Sequence, residues 1–171
     1  EEKAIEKSMG DFAANHNNAT YGATEAVAYY LMSDMGFQDD TPKGFAQSVA
    51  SGGEPAPADL QKFQSLIESQ GISVLVNNTQ ESSDATNMLT GTAGRAGVPV
   101  FDVSEQMPQA YTTLTDWIAD LVARLDKTVS PAIIDDSDES GSSDGKDGAS
   151  AKNDAGNSAD DKSDTGAGSS N

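Results

Sequence analysis

Residues 72–103 read ISVLVNNTQESSDATNMLTGTAGRAGVPVFDV, and the fold turns on this stretch. Ile72-Ser73-Val74-Leu75-Val76 is short and almost continuously apolar, as expected of a parallel strand buried on both faces. Asn77 to Gln80 are polar and read as the loop that follows it. A helix is expected over 83–96, stopped by Gly97. Val98 to Val103 is the next strand, and Pro99 places it at a strand start or near an edge. Strand, helix and strand in this order describe a crossover between parallel strands.

Upstream, Pro57 to Gln70 reads as a helix with Pro in its first turn and Leu60, Phe63, Leu66 and Ile67 facing inward. Residues 37–56 are rich in turn formers, with a short helix expected over Pro42 to Ala50. Ala19 to Ala23 is short and β-compatible. Thr24 then reads as the N-cap of a helix running to about Met35, closed by Gly36, with Val27, Leu31 and Met35 on one face. Residues 1 to about 14 are helical, Ile5, Met9 and Phe12 sharing a face, and His16-Asn17-Asn18 ends them. Downstream, 104–110 is a loop. Thr113 to about Lys127 is the last helix, with Leu114, Trp117, Ile118, Leu121, Val122 and Leu125 toward the core. Strands alternating with helices predict an α/β fold, a small parallel sheet flanked by helices on both faces. Ligands of such sheets bind beyond the C-terminal strand ends, so the loops after Ala23, Val76 and Val103 matter most.

Composition sets limits around this core. From Ser130 to Asn171 the chain is almost wholly Ser, Gly, Asp, Ala, Asn and Lys, with Ile133 and Ile134 its only large aliphatics. Such a segment buries too little apolar surface to offset the entropy of ordering it, so 130–171 is expected to be a disordered acidic tail. Formal net charge is −18, of which ten acids and three lysines place −7 in the tail. This balance argues against nucleic acid and anionic membrane as partners, which require basic patches. The absence of cysteine excludes a disulfide framework, a thiolate zinc site and a Cys nucleophile. No stretch approaches the roughly 20 apolar residues of a membrane span. The chain opens on Glu1-Glu2-Lys3 in mid-helix pattern, so further chain is expected upstream.

The three loops carry Thr24 and Glu25; Asn77, Asn78, Thr79 and Gln80; and Ser104, Glu105 and Gln106. Glu25 and Glu105 thus follow two strands of one sheet, and carboxylates suit divalent cations. Each also has an ordinary alternative: a Glu near a helix start serves the helix dipole, and a Glu in an exposed loop is solvated. His16, the only histidine, reads as a residue at a helix C-terminus, not a ligand. No Ser-His-Asp set assembles around it. Gly91, Gly94 and Gly97 lie in or at the end of a helix and form no phosphate loop. Asp135, Asp136, Asp138 and Glu139 lack the Gly and Glu of a calcium loop. Without a nucleophile–base pair, an enzyme is not expected.

The run 74–108, VLVNNTQESSDATNMLTGTAGRAGVPVFDVSEQMP, followed by YTTLTDW at 111–117, resembles the C-terminal lobe of the zinc/manganese-specific solute-binding proteins of ABC importers, the cluster A-I metal-binding lipoproteins. YGATEAVAYYLMSDMGF at 21–37 is similar to the strand-to-helix segment of that family, and TPKGFAQSVASGGEPAPADLQKF at 41–63 to a connector in one of its branches. The resemblance covers roughly 19–127. It implies one lobe of a two-lobed protein, with metal held between lobes. Residues 1–18 would then end the connecting helix, 19–129 would form the C-terminal metal-binding lobe, and 130–171 would be an extra tail. It further implies Glu25 and Glu105 as metal ligands, matching the loop positions, and an N-terminal lobe supplying the remaining ligands.

The function so implied is extracytoplasmic capture of Zn²⁺ or Mn²⁺ for delivery to the importer permease, by a monomer that is periplasmic or anchored at the cell surface as a lipoprotein. The alternative is a surface adhesion or scaffold protein that retains the metal-binding fold, for which an acidic Ser/Gly-rich tail is suited. Ligand set and geometry discriminate between the two metals, and two carboxylates leave both open.

Overall fold

A computed structural model of the chain describes residues 2–16 and 18–130. The elements are α1 (Glu2–Asn15), β1 (Thr20–Ala23), a 3₁₀ turn (Ala26–Ala28), α2 (Tyr29–Asp34), β2 (Gln38–Asp39), α3 (Lys43–Ala50), α4 (Pro57–Glu68), β3 (Val74–Asn78), α5 (Asp84–Ala96), β4 (Val100–Val103) and α6 (Leu114–Val129). Four strands form one sheet in the order β2-β1-β3-β4, every pair parallel. The expected α/β fold is therefore present, with one strand more than the sequence suggested. β2 is only two residues, both exposed, so its pattern carries no hydrophobic signal.

Alternation along the strands divides the interior in two, because successive side chains point to opposite faces. Val74 and Val76 join Phe12, Tyr21, Met32, Met35, Phe101, Val103, Leu121 and Leu125 in the core beneath α1, α2 and α6. Leu75 faces the other way and packs with Phe45, Phe63, Ile67, Ile72, Leu89 and Val98 beneath α3, α4 and α5. Burial on both faces accounts for the apolar run that marked β3 in the sequence.

The strand and helix limits shift in ways that bear on the site. β3 begins at Val74 and extends through Asn78, so Asn77 and Asn78 belong to the strand and not to the loop. Thr24 does not cap a helix. Its backbone continues the ladder, donating to Val76 O at 2.9 Å, and its hydroxyl accepts the N–H of Asn78 at 3.0 Å. The helical stretch starts later, and its buried positions are Ala28, Met32 and Met35, whereas Val27 is exposed. Thr113 caps α6 by accepting the N–H of Asp116 at 3.1 Å; this leaves Leu114 in the exposed first turn, off the core face. Residues 131–171, nearly all of the acidic segment and its Asp135–Glu139 run, lie outside the described residues.

Candidate metal centre

The C-terminal edge of the sheet is built by register. Ala23 pairs with Val76, Val76 with Phe101, and Asn78 with Val103. β1, β3 and β4 consequently end side by side, and the residues that follow emerge together. Glu25 is extended, with φ −153° and ψ 157°, and its side chain caps nothing. It reaches sideways over the end of β3 instead. Glu105 follows β4 by two residues, its backbone N–H donating to Gln80 Oε1 at 2.9 Å.

The two carboxylates meet on Asn78. Its carboxamide Nδ2 donates to Glu105 Oε1 at 2.9 Å and also to Glu25 Oε2. Asn78 Oδ1 accepts the N–H of Gln80 at 3.1 Å. Asn78 is 2% exposed and Thr24 1%, so the floor beneath the acids is a buried, fully paired polar layer. The sequence thus places Glu25 and Glu105 on one edge, and the structure brings them to one atom. Of the other loop residues, Gln80 holds the Glu105 backbone. Thr79 turns away, its hydroxyl donating to Val103 O at 3.0 Å, and Asn77 donates to Asp102 at 2.8 Å.

A cavity of about 330 Å³ opens beside the pair, with Tyr21, Asp39, Thr41 and Val49 in its walls. A second, of about 470 Å³, shares Thr24 and Glu25 and adds Glu54, Glu81 and Asp84. Negative charge therefore surrounds the edge on this side. Burial and the neighbouring Asp39 push the Tyr21 hydroxyl pKa far above its ordinary value, so it stays neutral. His16 takes no part: its ring stacks on Phe12 at 4.0 Å, and its nitrogens lie 3.1 Å from Phe12 O and 3.1 Å from Ser130 Oγ.

Hard carboxylate oxygens converging from two strands match what Zn²⁺ and Mn²⁺ accept. Among the described residues no group of three or more His, Cys, Asp or Glu could hold a metal ion, so the pair offers two candidate donors and no complete site. Asn78, which both acids contact, is the residue at this edge that sequence reading left without a role. Strand parity could have found it: Val74, Val76 and Asn78 alternate on one face, so a polar residue there is committed to a buried position.

Comparison with known proteins agrees with this architecture. The family model described as zinc-uptake complex component A, periplasmic, matches residues 1–128. No curated protein matches. Among solved structures, the laminin-binding protein of Streptococcus agalactiae, described as bifunctional with adhesin and metal transporting activity, superposes with a TM-score of 0.57 at 14% identity, over 74% of this chain and 47% of that one. A Zn(II)-bound mutant variant of AdcAII from Streptococcus pneumoniae gives 0.55 at 16% identity, over 74% and 44%. The laminin-binding protein Lbp of Streptococcus pyogenes gives 0.55 at 13%, over 74% and 47%. The chain thus spans just under half the length of the structures it matches, and at these identities they show a shared fold.

Proposed function

From the premise that this chain belongs to the periplasmic zinc-uptake complex component A family, we propose that it captures a divalent cation, Zn²⁺ or Mn²⁺, outside the cytoplasm for delivery to an ABC importer permease. Glu25 and Glu105 are two of the metal ligands in this reading, and a second lobe supplies the others. Residues 1–18 end the helix joining the lobes, and 19–129 form the C-terminal lobe. One observation carries the reading: carboxylates from two different strand ends converge on a single buried amide at the edge where parallel sheets bind ligands. Such convergence of like charges is costly unless a counter-charge is to be accommodated.

The Zn(II)-bound relative supports zinc as the cargo, and nothing in the donor pair disfavours manganese. Calorimetric titration with each metal, in the full-length context and with Glu25→Ala and Glu105→Ala, tests the assignment. One tight site weakened by both substitutions, each by on the order of a hundredfold or more, is the expected result. A site indifferent to either glutamate removes that residue from the ligand set.

A second reading is adhesion: one relative is described as having adhesin activity and another as laminin-binding. It is favoured by exposed apolar side chains next to the acids: Val27, Tyr29, Tyr30 and Met107 are 38–81% exposed, and Tyr29 packs edge-on against Tyr30. Under adhesion, Tyr30→Ala lowers binding to an immobilised extracellular-matrix protein and leaves metal binding unchanged.

A further inference from the structure

Two carboxylates at one point repel each other, and Glu105 lies in an exposed segment with water available to it. Something must hold the pair together. The Asn78 carboxamide is positioned for this. Its NH₂ group has two hydrogens, and the structure places two acceptors on its nitrogen, Glu25 Oε2 and Glu105 Oε1. Hydrogen bonds to an ionised acceptor are stronger than neutral ones.

The amide cannot easily turn over. Its oxygen accepts the N–H of Gln80 at 3.1 Å, and a flip would set that oxygen against two carboxylates and NH₂ against N–H. Its backbone N–H is tied to the Thr24 hydroxyl at 3.0 Å. Nor can it drift toward solvent, being 2% exposed in the middle of the sheet edge. A buried, fully bonded donor thus meets two longer, more exposed acids.

We propose that Asn78 is a positioning residue that clamps Glu25 and Glu105 together in the metal-free protein, its two amide hydrogens standing in for part of the cation's charge. Each carboxylate spends one oxygen on the clamp, which leaves Glu25 Oε1 and Glu105 Oε2 for the metal. A cation then enters a pair already gathered, and when it leaves the acids stay together. This consequence rests on the ligand assignment above, whereas the clamp is testable with no metal present.

Asn78→Asp is the sharpest variant. It keeps the side-chain size and the oxygen that accepts from Gln80, and exchanges the donor for a third carboxylate oxygen. In the metal-free 171-residue chain at neutral pH it is expected to lower the melting temperature by roughly 5–10 °C. Adding Glu25→Gln or Glu105→Gln in the same chain removes one repelling charge and restores a donor, and so recovers much of that loss. An Asn78→Asp protein that melts like the parent, or one that neither glutamine rescues, overturns the clamp.

If Asn78→Asp does not fold, the folded parent supplies the test by NMR of the Asn78 side-chain NH₂ pair. Glu25→Gln and Glu105→Gln are each expected to move a different one of its two protons upfield; a pair insensitive to both glutamates overturns the proposal. Failure here and failure of the metal reading are distinct. Metal binding that depends on both glutamates beside an indifferent amide keeps the metal site and discards the clamp. A coupled amide in a protein that binds neither Zn²⁺ nor Mn²⁺ in full-length context does the reverse.

Discussion

Gly22 and Tyr21 are neighbours on β1 that face opposite sides of the sheet, and each is constrained by what it meets there. A Cβ on Gly22 would lie 2.5 Å from Cε2 and 2.8 Å from Cζ of Phe63, a ring fully buried among its neighbours and T-stacked on Phe45. Gly22→Ala is therefore expected to destabilise the protein by about 1–3 kcal/mol through overpacking, readable as a lowered urea midpoint at unchanged slope. Tyr21 is buried beside Asp39, and the resulting upward shift of its pKa is a stability statement. The folded state holds the phenolic proton more tightly than the unfolded chain, whose tyrosines ionise near about 10. Its contribution is fully present below that pH and is lost as pH rises beyond it. Tyr21→Phe should flatten the alkaline limb of the stability profile, and a limb unchanged by the substitution would assign it to other groups. Glu25 and Glu105 could be picked out in the sequence because strand ends in a parallel sheet are where ligands bind. Strand parity marks Asn78 only as a buried polar residue; its two carboxylate partners lie 53 and 27 residues away along the chain and are not legible there.

At the scale of elements, α5 shows local sequence acting as expected. Ser83 Oγ accepts the N–H of Thr86 at 3.1 Å while Thr86 Oγ1 accepts the N–H of Ser83 at 2.8 Å, a reciprocal cap. At the other end Gly97 takes φ +73°, a left-handed conformation that glycine adopts without a Cβ penalty. Ser83→Ala should cost about 1 kcal/mol, measured by chemical denaturation, and should leave the carboxylate pair intact, since the cap lies in α5 and not on the β1 or β4 ends. The segment after β1 is the counter-example. Thr24 has the chemistry of a helix cap, yet its hydroxyl is used by the backbone of β3. Helix is delayed to Ala26, and Glu25 stays extended and free to lean across the sheet edge. A tertiary hydrogen bond to a buried N–H outweighs a cap that water could replace. The same competition hides β2, whose two residues are strand only because β1 supplies partners.

On the scale of the whole molecule, the sheet separates two cores and gathers two carboxylates at one edge. The chain covers just under half of its structural relatives, and the described residues hold two converging carboxylates without a third acidic, His or Cys partner. Titrated alone, it should bind Zn²⁺ or Mn²⁺ only in the roughly micromolar to millimolar range, because a full structural zinc site yields about 10–16 kcal/mol and half of that corresponds to such affinities. A nanomolar site in the isolated chain would mean that donors beyond Glu25 and Glu105 take part.

The sequence by itself determined the α/β class, the order of the long elements and the sheet edge at which the two glutamate-bearing loops emerge. These follow from local features: an apolar run buried on both faces, helix periodicity, caps and stop glycines. The family likeness pointed to the same two glutamates. Only the tertiary structure decided that the two acids share one amide, that Thr24 serves a neighbouring strand, that Val27 and Leu114 face outward and that a fourth strand closes the edge. Each of these depends on which groups become buried side by side, and burial of a hydrogen-bonding group is a property of the packed sheet that no single stretch of the chain contains.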